Sequence, residues 1–248
     1  MIEQVAVTGS TNADILERAR EGAPEGLWIR ADRQDGGRGR LGRSWDSPTG
    51  NFYGSTLVKL RAGDPPAHTL SLVAAIATAD ALRHFAPKAD LLIKWPNDLL
   101  LGEDKLAGIL LERQGDNIVV GIGVNLAYAP QLPDRVAAAL SAAGPAPAPQ
   151  IFCEVLARQF DAALARWRGA GTHYQSGLAA TIALWLKQAH PVGAAIATSG
   201  PDGAKISGTF AGLTPDAMLN LRLPDGETVV IHSGDIELQR GQSDAAGD

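Results

Sequence analysis

The pattern of apolar and polar positions divides the chain into two parts that predict different elements. In the first part, apolar residues recur with helical spacing in four segments, which predicts helices at 10–22, 68–85, 150–167 and 174–189. Between them, runs rich in β-branched, aromatic and leucine side chains predict strands at 26–32, 51–60, 90–95, 98–101, 105–112 and 117–126. Tight turns such as "GED" and "RQGD" separate the last four strands. These strands should therefore pair antiparallel, because parallel neighbours need longer crossover connections.

From His190 onward the helical spacing disappears. Short strands alternate with turns at regular intervals as far as Leu238, a pattern typical of a small β-barrel. We therefore expect an α+β fold, in which a mixed, largely antiparallel sheet with helices is followed by a small C-terminal barrel. The expected division is a larger domain at 1–188, the barrel at 189–240 and a frayed tail at 241–248.

Composition and charge narrow the class of protein. The 248 residues are 45% hydrophobic and 20% charged, which is ordinary for a globular protein with a real core. No apolar run reaches the roughly 18 residues of a spanning helix, and the first residues lack a signal-peptide pattern, so we expect a cytoplasmic protein without membrane contact. A single cysteine, Cys153, excludes an internal disulfide. The net charge of −5 argues against broad, charge-driven binding to nucleic acid.

The segment "GGRGRLGR", residues 36–43, is the most unusual stretch of the chain, with four glycines and three arginines. It matches the dinucleotide pattern G-x-G-x-x-G, but that pattern has meaning only where it opens a helix, and here a turn and a strand follow. Arginine binds phosphate bidentately and stays charged, while glycine lets the backbone approach a ligand closely. Two interpretations stay open for this segment alone: a loop that binds a small anion, and a solvated loop or RG-type contact with nucleic acid.

Four further motifs each allow a structural and a functional interpretation. "STN", residues 10–12, caps a helix or meets a polar ligand group. Asn97 and Asp98 in "KWPNDLL" form a polar turn, or hold Mg²⁺ or a nucleotide at the sheet edge. The mid-strand glycines in "KLAGILLE" and "GIGVN" mark β-bulges, or leave room for a flat apolar ligand on one sheet face.

Taken together and in this order, "STN", "GRGRLGRSW", "KWPNDLL", "KLAGILLE" and "GIGVN", followed by a small barrel, resemble the biotin protein ligases. The resemblance runs from about Thr8 to Leu238. It implies a biotin/lipoate ligase-like catalytic domain with an SH3-like barrel. The implied reaction forms biotinyl-5′-AMP from biotin and ATP, with Mg²⁺, and then transfers biotin to a lysine of a biotin carboxyl carrier protein.

The same resemblance implies roles for the residues that match the family's motifs. The implied biotin contacts are Ser10, Thr11, Asn12, Gln34, Gly37, Arg38, Gly39, Arg40, Lys105, Gly121 and Gly123. The implied contacts with ATP and the adenylate are Arg38, Arg40, Arg43, Trp45, Asn97, Asp98, Lys105 and Asn125. Among these, Lys105 and Arg40 would be the catalytic groups and Asp98 a ligand of Mg²⁺.

The sequence also departs from the family pattern in places and leaves two other functions open. The motifs begin within the first ten residues, whereas some family members carry an N-terminal helix-turn-helix domain, so we expect no repressor activity and no specific DNA binding. Homodimer formation stays open. The family's barrel can supply a basic residue near the nucleotide from its final strand, and here only Arg240, preceded by Gln239, is available for that contact. A lipoate–protein ligase is the second interpretation, although "RSWDSP" lacks the histidine expected there, and an RG-type nucleic-acid binder is the third.

Overall fold

A seven-stranded sheet lies at the centre of the computed structural model, which describes residues 1–131, 136–169, 177–199 and 204–238. Its strands are β1 (Ile2–Thr8), β2 (Trp28–Gln34), β3 (Phe52–Lys59), β4 (Leu91–Lys94), β5 (Asp98–Leu101), β6 (Asp104–Gln114) and β7 (Asn117–Val124). The order across the sheet is β1-β2-β3-β7-β6-β5-β4. Of the neighbouring pairs in this described sheet, β1 and β2 run parallel and the others antiparallel.

Helices cover the two faces of this sheet unequally. They are α1 (Thr11–Arg20), α2 (Leu70–Phe85), α3 (Pro149–Trp167) and α4 (Leu178–Leu186). The face with α2 and α3 holds the main core, in which the Trp28 and Phe160 rings meet edge to face at 5.6 Å. On the opposite face α1 packs Ile15 against Leu57 and Val119. That helix covers the sheet near β2, β3 and β7, and leaves the part over β5 and β6 available for a cavity.

A second, five-stranded antiparallel sheet follows the helices. Its strands are β8 (Ala195–Ser199), β9 (Lys205–Leu213), β10 (Leu219–Arg222), β11 (Thr228–Ile231) and β12 (Ile236–Leu238), in the order β11-β10-β9-β8-β12. Its inner side chains, such as Phe210 and Leu219, continue the main hydrophobic core. The Trp95 indole also donates a hydrogen bond to the Ala217 carbonyl at 3.3 Å. This small sheet is therefore packed firmly against the larger one.

These elements confirm the expected α+β fold class, with a largely antiparallel sheet and a small all-β part. The sequence pattern missed β1, because none of the side chains of this edge strand is fully buried and its apolar residues do not alternate regularly with polar ones. Consequently the parallel pair formed by β1 and β2, with α1 as the crossover, was also unexpected. The division at 188 and 189 stays a prediction, and the expected tail at 241–248 lies outside the described residues. No helix within the described ranges is both long and apolar enough to span a membrane.

A cluster of charged residues holds the end of α3 against the sheet. The Arg168 guanidinium donates to both carboxylate oxygens of Glu25, at 2.7 and 2.9 Å, and to Asp64 at 3.2 Å. Burial by itself raises the pKa of Glu25. Hydrogen bonds from Arg168 and the Lys59 amide, together with the positive charges of Arg168 and Arg61, outweigh this effect. The result is a pKa lowered from 4.5 to about 2. The cluster therefore stabilises the folded state while Glu25 is ionised.

Replacing Arg168 by alanine should destabilise the protein by about 3 kcal/mol at pH 7, because two largely buried carboxylates lose the guanidinium that they share, and Glu25 keeps only the more exposed Arg61 as a charged partner. The contribution from Glu25 is fully present above its unfolded pKa of 4.5, so the difference from wild type should shrink as the pH falls towards 2. Denaturant unfolding across this pH range measures both effects. Arg158→Ala, an exposed position on α3, is the control and should stay within about 0.5 kcal/mol. Equal losses in the two variants would contradict the assignment.

Candidate functional site

One cavity of about 510 Å³ lies on the sheet face that carries α1. Of the residues to which the resemblance gave roles, those lining it are Ser10, Thr11, Asn12, Gln34, Arg38, Gly39, Arg40, Arg43, Trp45, Asn97, Asp98, Lys105, Gly121, Gly123 and Asn125. The remaining one, Gly37, is not among the lining residues of this cavity, and a Cβ there would come within 2.5 Å of the Trp45 carbonyl oxygen. The segments that sequence alone left separate therefore meet at one place, and the roles of the individual residues stay predictions.

At one end of the cavity, neutral side chains form a continuous hydrogen-bond network. The Thr11 amide donates to Gln34 Oε1 at 2.9 Å, and the Thr11 and Ser55 hydroxyls lie 2.7 Å apart. The Ser55 hydroxyl in turn donates to Asn12 Oδ1 at 2.6 Å. In the described structure the Ser10 hydroxyl makes no capping hydrogen bond, so helix capping does not explain the "STN" motif. These groups are held in fixed orientations at the cavity wall.

Two residues that hold this network in place, a carboxylate and a buried hydroxyl, were missed from the sequence. Asn12 Nδ2 donates to Glu112 Oε2 at 2.6 Å, and Ser55 is completely buried on β3. The signal that could have revealed Ser55 is a hydroxyl in the otherwise aromatic and aliphatic strand "NFYGSTLVKL". Glu112 carried no such signal, because a carboxylate near the end of a strand normally faces solvent. Both residues fix the Asn12 side chain.

The mid-strand glycines give space to side chains that themselves line the cavity. A Cβ on Gly123 would lie 2.6 Å from the Trp45 ring, and one on Gly108 would lie 2.9 Å from it. A Cβ on Gly121 would overlap the Asn12 side-chain amide. Since Gly108 and Gly123 are paired across β6 and β7, the indole lies over two adjacent strands. The close approach predicted for these glycines is therefore made by the protein's own Trp45 and Asn12.

Positive charge is concentrated at the other end of the cavity. Lys105 Nζ lies 2.6 Å from Asp98 Oδ1, with both side chains largely buried, and 5.6 Å from the centre of the Trp45 ring. The neighbouring Asn97 donates from Nδ2 to the Ile109 carbonyl at 2.7 Å and accepts from Arg40 Nη1 at 3.0 Å. The polar turn after the Trp95–Pro96 bond thus connects strand β6 with the Gly/Arg loop.

The arginines of that loop also contact the small sheet. Arg40 Nη1 lies 3.3 Å from Asp235 Oδ1, and Arg43 Nη1 lies 2.5 Å from Asp235 Oδ2. From this region the sequence offered only Arg240 as a basic contact for the nucleotide, and that position lies outside the described residues. Sequence reasoning did not anticipate an acidic residue reaching the cavity. Asp235 precedes a short strand in a polar turn, where an aspartate is unremarkable.

Asn125 lies between the end of β7 and the segment 136–140. Its Nδ2 donates to the Ala138 carbonyl at 3.0 Å, and its backbone amide donates to the Leu106 carbonyl at 2.9 Å. Its Oδ1 is buried and has no hydrogen-bond partner among the described residues, as is also true of Trp45 Nε1. A buried polar atom without a partner costs stability. Both atoms belong to cavity-lining residues, so a ligand with complementary polar groups could satisfy them.

The predicted Mg²⁺ ligand, Asp98, does not form a complete metal site. Within the described ranges, no group of three His, Cys, Asp or Glu side chains is placed to hold a metal ion. One oxygen of Asp98 already bonds Lys105. Mg²⁺ commonly takes one or two carboxylates and completes its coordination with substrate phosphates and water. These residues fit Mg²⁺ only in that way, with Asp98 as a single protein ligand.

Comparison with known proteins identifies the family. Residues 5–126 match the model of the Biotin/lipoate A/B protein ligase family. The chain is 40% identical to a biotin--[acetyl-CoA-carboxylase] ligase of Paracoccus denitrificans, over 91% of this chain and 96% of the relative. The chain belongs to the biotin protein ligase family. A second biotin--[acetyl-CoA-carboxylase] ligase, from Mycobacterium tuberculosis, is 34% identical over 95% of this chain and 88% of its own length.

A solved biotin protein ligase shares the fold as well. The structure from Aquifex aeolicus, in complex with biotin and ATP, superimposes with a TM-score of 0.78 at 25% identity and covers 96% of this chain and 98% of its own. The resemblance inferred from the motifs is therefore confirmed, and the chain is a ligase. The family model also spans lipoate ligases, so that match by itself does not distinguish the acyl group.

Proposed function

We propose that this ligase forms biotinyl-5′-AMP from biotin and ATP and transfers biotin to a lysine of a biotin carboxyl carrier protein. The observation that carries the proposal is a single cavity with a neutral hydrogen-bonding end at Thr11 and Asn12 and a cationic end at Arg40 and Lys105. A ligand with an uncharged polar ring and a carboxylate matches that polarity. The names of the two relatives, and the biotin and ATP bound in the Aquifex protein, support the same assignment.

The neutral end of the cavity suits the ureido ring of biotin, which needs donors and acceptors without net charge. Thr11, Asn12 and Gln34 supply both, and Ser55 and Glu112 hold them in place. Such pre-oriented groups discriminate strongly, because a ligand that lacks a matching polar atom leaves them unsatisfied. This is the part of the site that would favour biotin over lipoate.

The cationic end suits the first chemical step. A biotin carboxylate oxygen forms a bond to the α-phosphorus of ATP, the bond to the β-phosphate bridging oxygen breaks, and pyrophosphate leaves. The carboxylate and the α-phosphate are both anions and must approach each other. Catalysis of this step therefore depends on fixed cations more than on a group that transfers protons. Lys105 and Arg40 supply them in a partly buried site, where their charges act strongly. Mg²⁺, when bound, would neutralise charge on the phosphates, with Asp98 as its protein ligand.

The second step needs protection from water. The amine of the acceptor lysine attacks the carbonyl carbon of the mixed anhydride, forms the amide, and releases AMP and a proton. Water competes for the same carbonyl, so the intermediate must be covered until the acceptor arrives. The Gly/Arg segment at 36–43, which lines the cavity over the cationic end, is the proposed cover.

The proposal includes further parts carried from the sequence. The acceptor is a carrier protein domain, and the chain works in the cytoplasm without membrane contact, specific DNA binding or repressor activity. The two-domain division at 1–188 and 189–240 belongs to it, and homodimer formation stays a prediction.

Pyrophosphate–ATP isotope exchange tests the proposed reaction directly, with biotin, lipoate or no acid added in parallel. The wild-type protein should exchange label with biotin and Mg²⁺, and at least about a hundredfold more slowly with lipoate, because lipoate lacks the polar ring that the neutral end would bind. Exchange without biotin, or a preference for lipoate, would overturn the assignment. Incubation with labelled biotin, ATP and a carrier domain tests the transfer step: the carrier should become labelled, and a carrier with its acceptor lysine replaced by arginine should stay unlabelled.

A further inference from the structure

Asp235 brings a negative charge from the small sheet into the cationic end of the cavity. Its two carboxylate oxygens contact different arginines of the Gly/Arg loop, Arg40 at 3.3 Å and Arg43 at 2.5 Å. The neighbouring Gly234 carbonyl also accepts from Arg40 Nη1 at 3.4 Å. One carboxylate thus spans two guanidinium groups, in the way that a phosphate would.

The backbone at Asp235 is fixed independently of these ion pairs. The Thr198 hydroxyl donates to the Asp235 carbonyl at 3.0 Å, and β12 begins at the next residue and pairs with β8. The carboxylate is therefore presented from a rigid support, while its partners belong to a glycine-rich loop. If the contact breaks, we therefore expect the loop to move and the small sheet to stay in place.

We propose that Asp235 competes with the phosphates of the nucleotide for Arg40 and Arg43, and so sets how tightly ATP binds. This inference rests on the proposed function for the identity of the nucleotide. A triphosphate that arrives at this end must displace the carboxylate from at least one arginine, and it meets a like charge nearby. Both effects weaken nucleotide binding. The small sheet therefore acts on the reaction through the Gly/Arg loop, with Asp235 as a residue that holds this loop before ATP enters.

Asp235→Asn removes the charge and keeps the size of the side chain. Calorimetric titration with α,β-methylene-ATP in the presence of biotin and Mg²⁺ measures nucleotide affinity without turnover. The variant should bind the analogue on the order of fivefold more tightly, since two partly exposed ion pairs of modest strength no longer compete. The affinity for biotin alone should rise less than that for the analogue, because biotin brings a single carboxylate to the cationic end whereas the analogue brings three phosphates.

Glu237→Gln is the matched control, with the same loss of charge two residues away in the same sheet. Glu237 pairs with exposed Lys205 and contacts neither arginine in the described structure. The Glu237→Gln variant should therefore bind the analogue with the affinity of wild type. If Asp235→Asn bound the analogue no more tightly than this control, Asp235 would not compete with the phosphates and the proposal would be overturned. Weaker binding would overturn it as well, because Asp235 would then stabilise the complex with the nucleotide. Isotope exchange on the same samples separates this from the proposed function: tighter analogue binding without exchange would refute the ligase reaction alone.

Discussion

Lys105→Ala should reduce biotin-dependent pyrophosphate exchange by about a hundred- to a thousandfold, the usual loss when one pre-oriented group that stabilises developing charge is removed. Lys105 lies beside Asp98 at 2.6 Å and close to the Trp45 ring, at the end of the cavity where Arg40 also points. No other lysine lines the cavity within the described residues. The turnover number should fall more than the apparent affinity for biotin, because the charge matters most when carboxylate and phosphate meet.

Two companion variants make the Lys105 result interpretable. Lys105→Arg keeps the positive charge and should recover part of the activity. If Lys105 served only to pair with Asp98, the arginine variant should instead recover almost full activity. Lys205→Ala, on the exposed surface of the small sheet, should exchange label at the wild-type rate. Because Lys105→Ala leaves Asp98 unpaired and largely buried, circular dichroism and a melting curve must accompany the kinetics. A folded Lys105→Ala protein with near wild-type exchange would contradict the proposed role.

Gly121→Ala should weaken biotin binding by at least about tenfold and destabilise the fold by about 1–3 kcal/mol, the usual cost of overpacking a tight site. The added methyl group would overlap the Asn12 amide. Asn12 cannot turn away cheaply, since Ser55 and Glu112 bond its two side-chain ends at 2.6 Å each. Calorimetric titration with biotin, together with denaturant unfolding, measures both effects.

Gly9→Ala is the matched control for the glycine prediction. It adds the same methyl group immediately before the "STN" motif, where a Cβ would meet nothing within 4 Å. Its affinity for biotin should stay within about twofold of wild type, because the hydrogen-bond network is left unchanged. If both alanine variants bound biotin equally well, the network around Asn12 would not be the part of the cavity that binds the ligand.

The Gly/Arg segment was recognised from local features of the sequence, but its contacts were not. Its glycines and arginines, the strand that follows it and the acidic net charge were enough to reject a dinucleotide fold and to favour a small-anion site. They did not reveal which groups the arginines contact. Arg40 and Asp235 are 195 positions apart, and no local pattern relates them. The same holds for Asn12 and Glu112, which are 100 positions apart and form one hydrogen bond.

The glycines of β6 and β7 show a similar division. Their mid-strand positions indicated that something approaches the backbone closely, and the structure agrees. Only the folded chain shows that Trp45, carried by a separate loop, lies over Gly108 and Gly123. The strand β1, in contrast, was missed because its sequence shows no clear strand pattern. Its pattern is weak because it lies at an edge, where none of its side chains is fully buried.

The sequence by itself determined the α+β class, the antiparallel meander, the all-β C-terminal part and the set of motifs that identified the family. These follow from local periodicity and from residue types at short spacing, which a single chain displays directly. The tertiary structure alone decided that the motifs converge on one cavity, that Ser55 and Glu112 orient Asn12, and that Asp235 reaches the loop arginines. Such contacts depend on how distant strands and loops pack in three dimensions, and packing geometry is not encoded in any short stretch of residues.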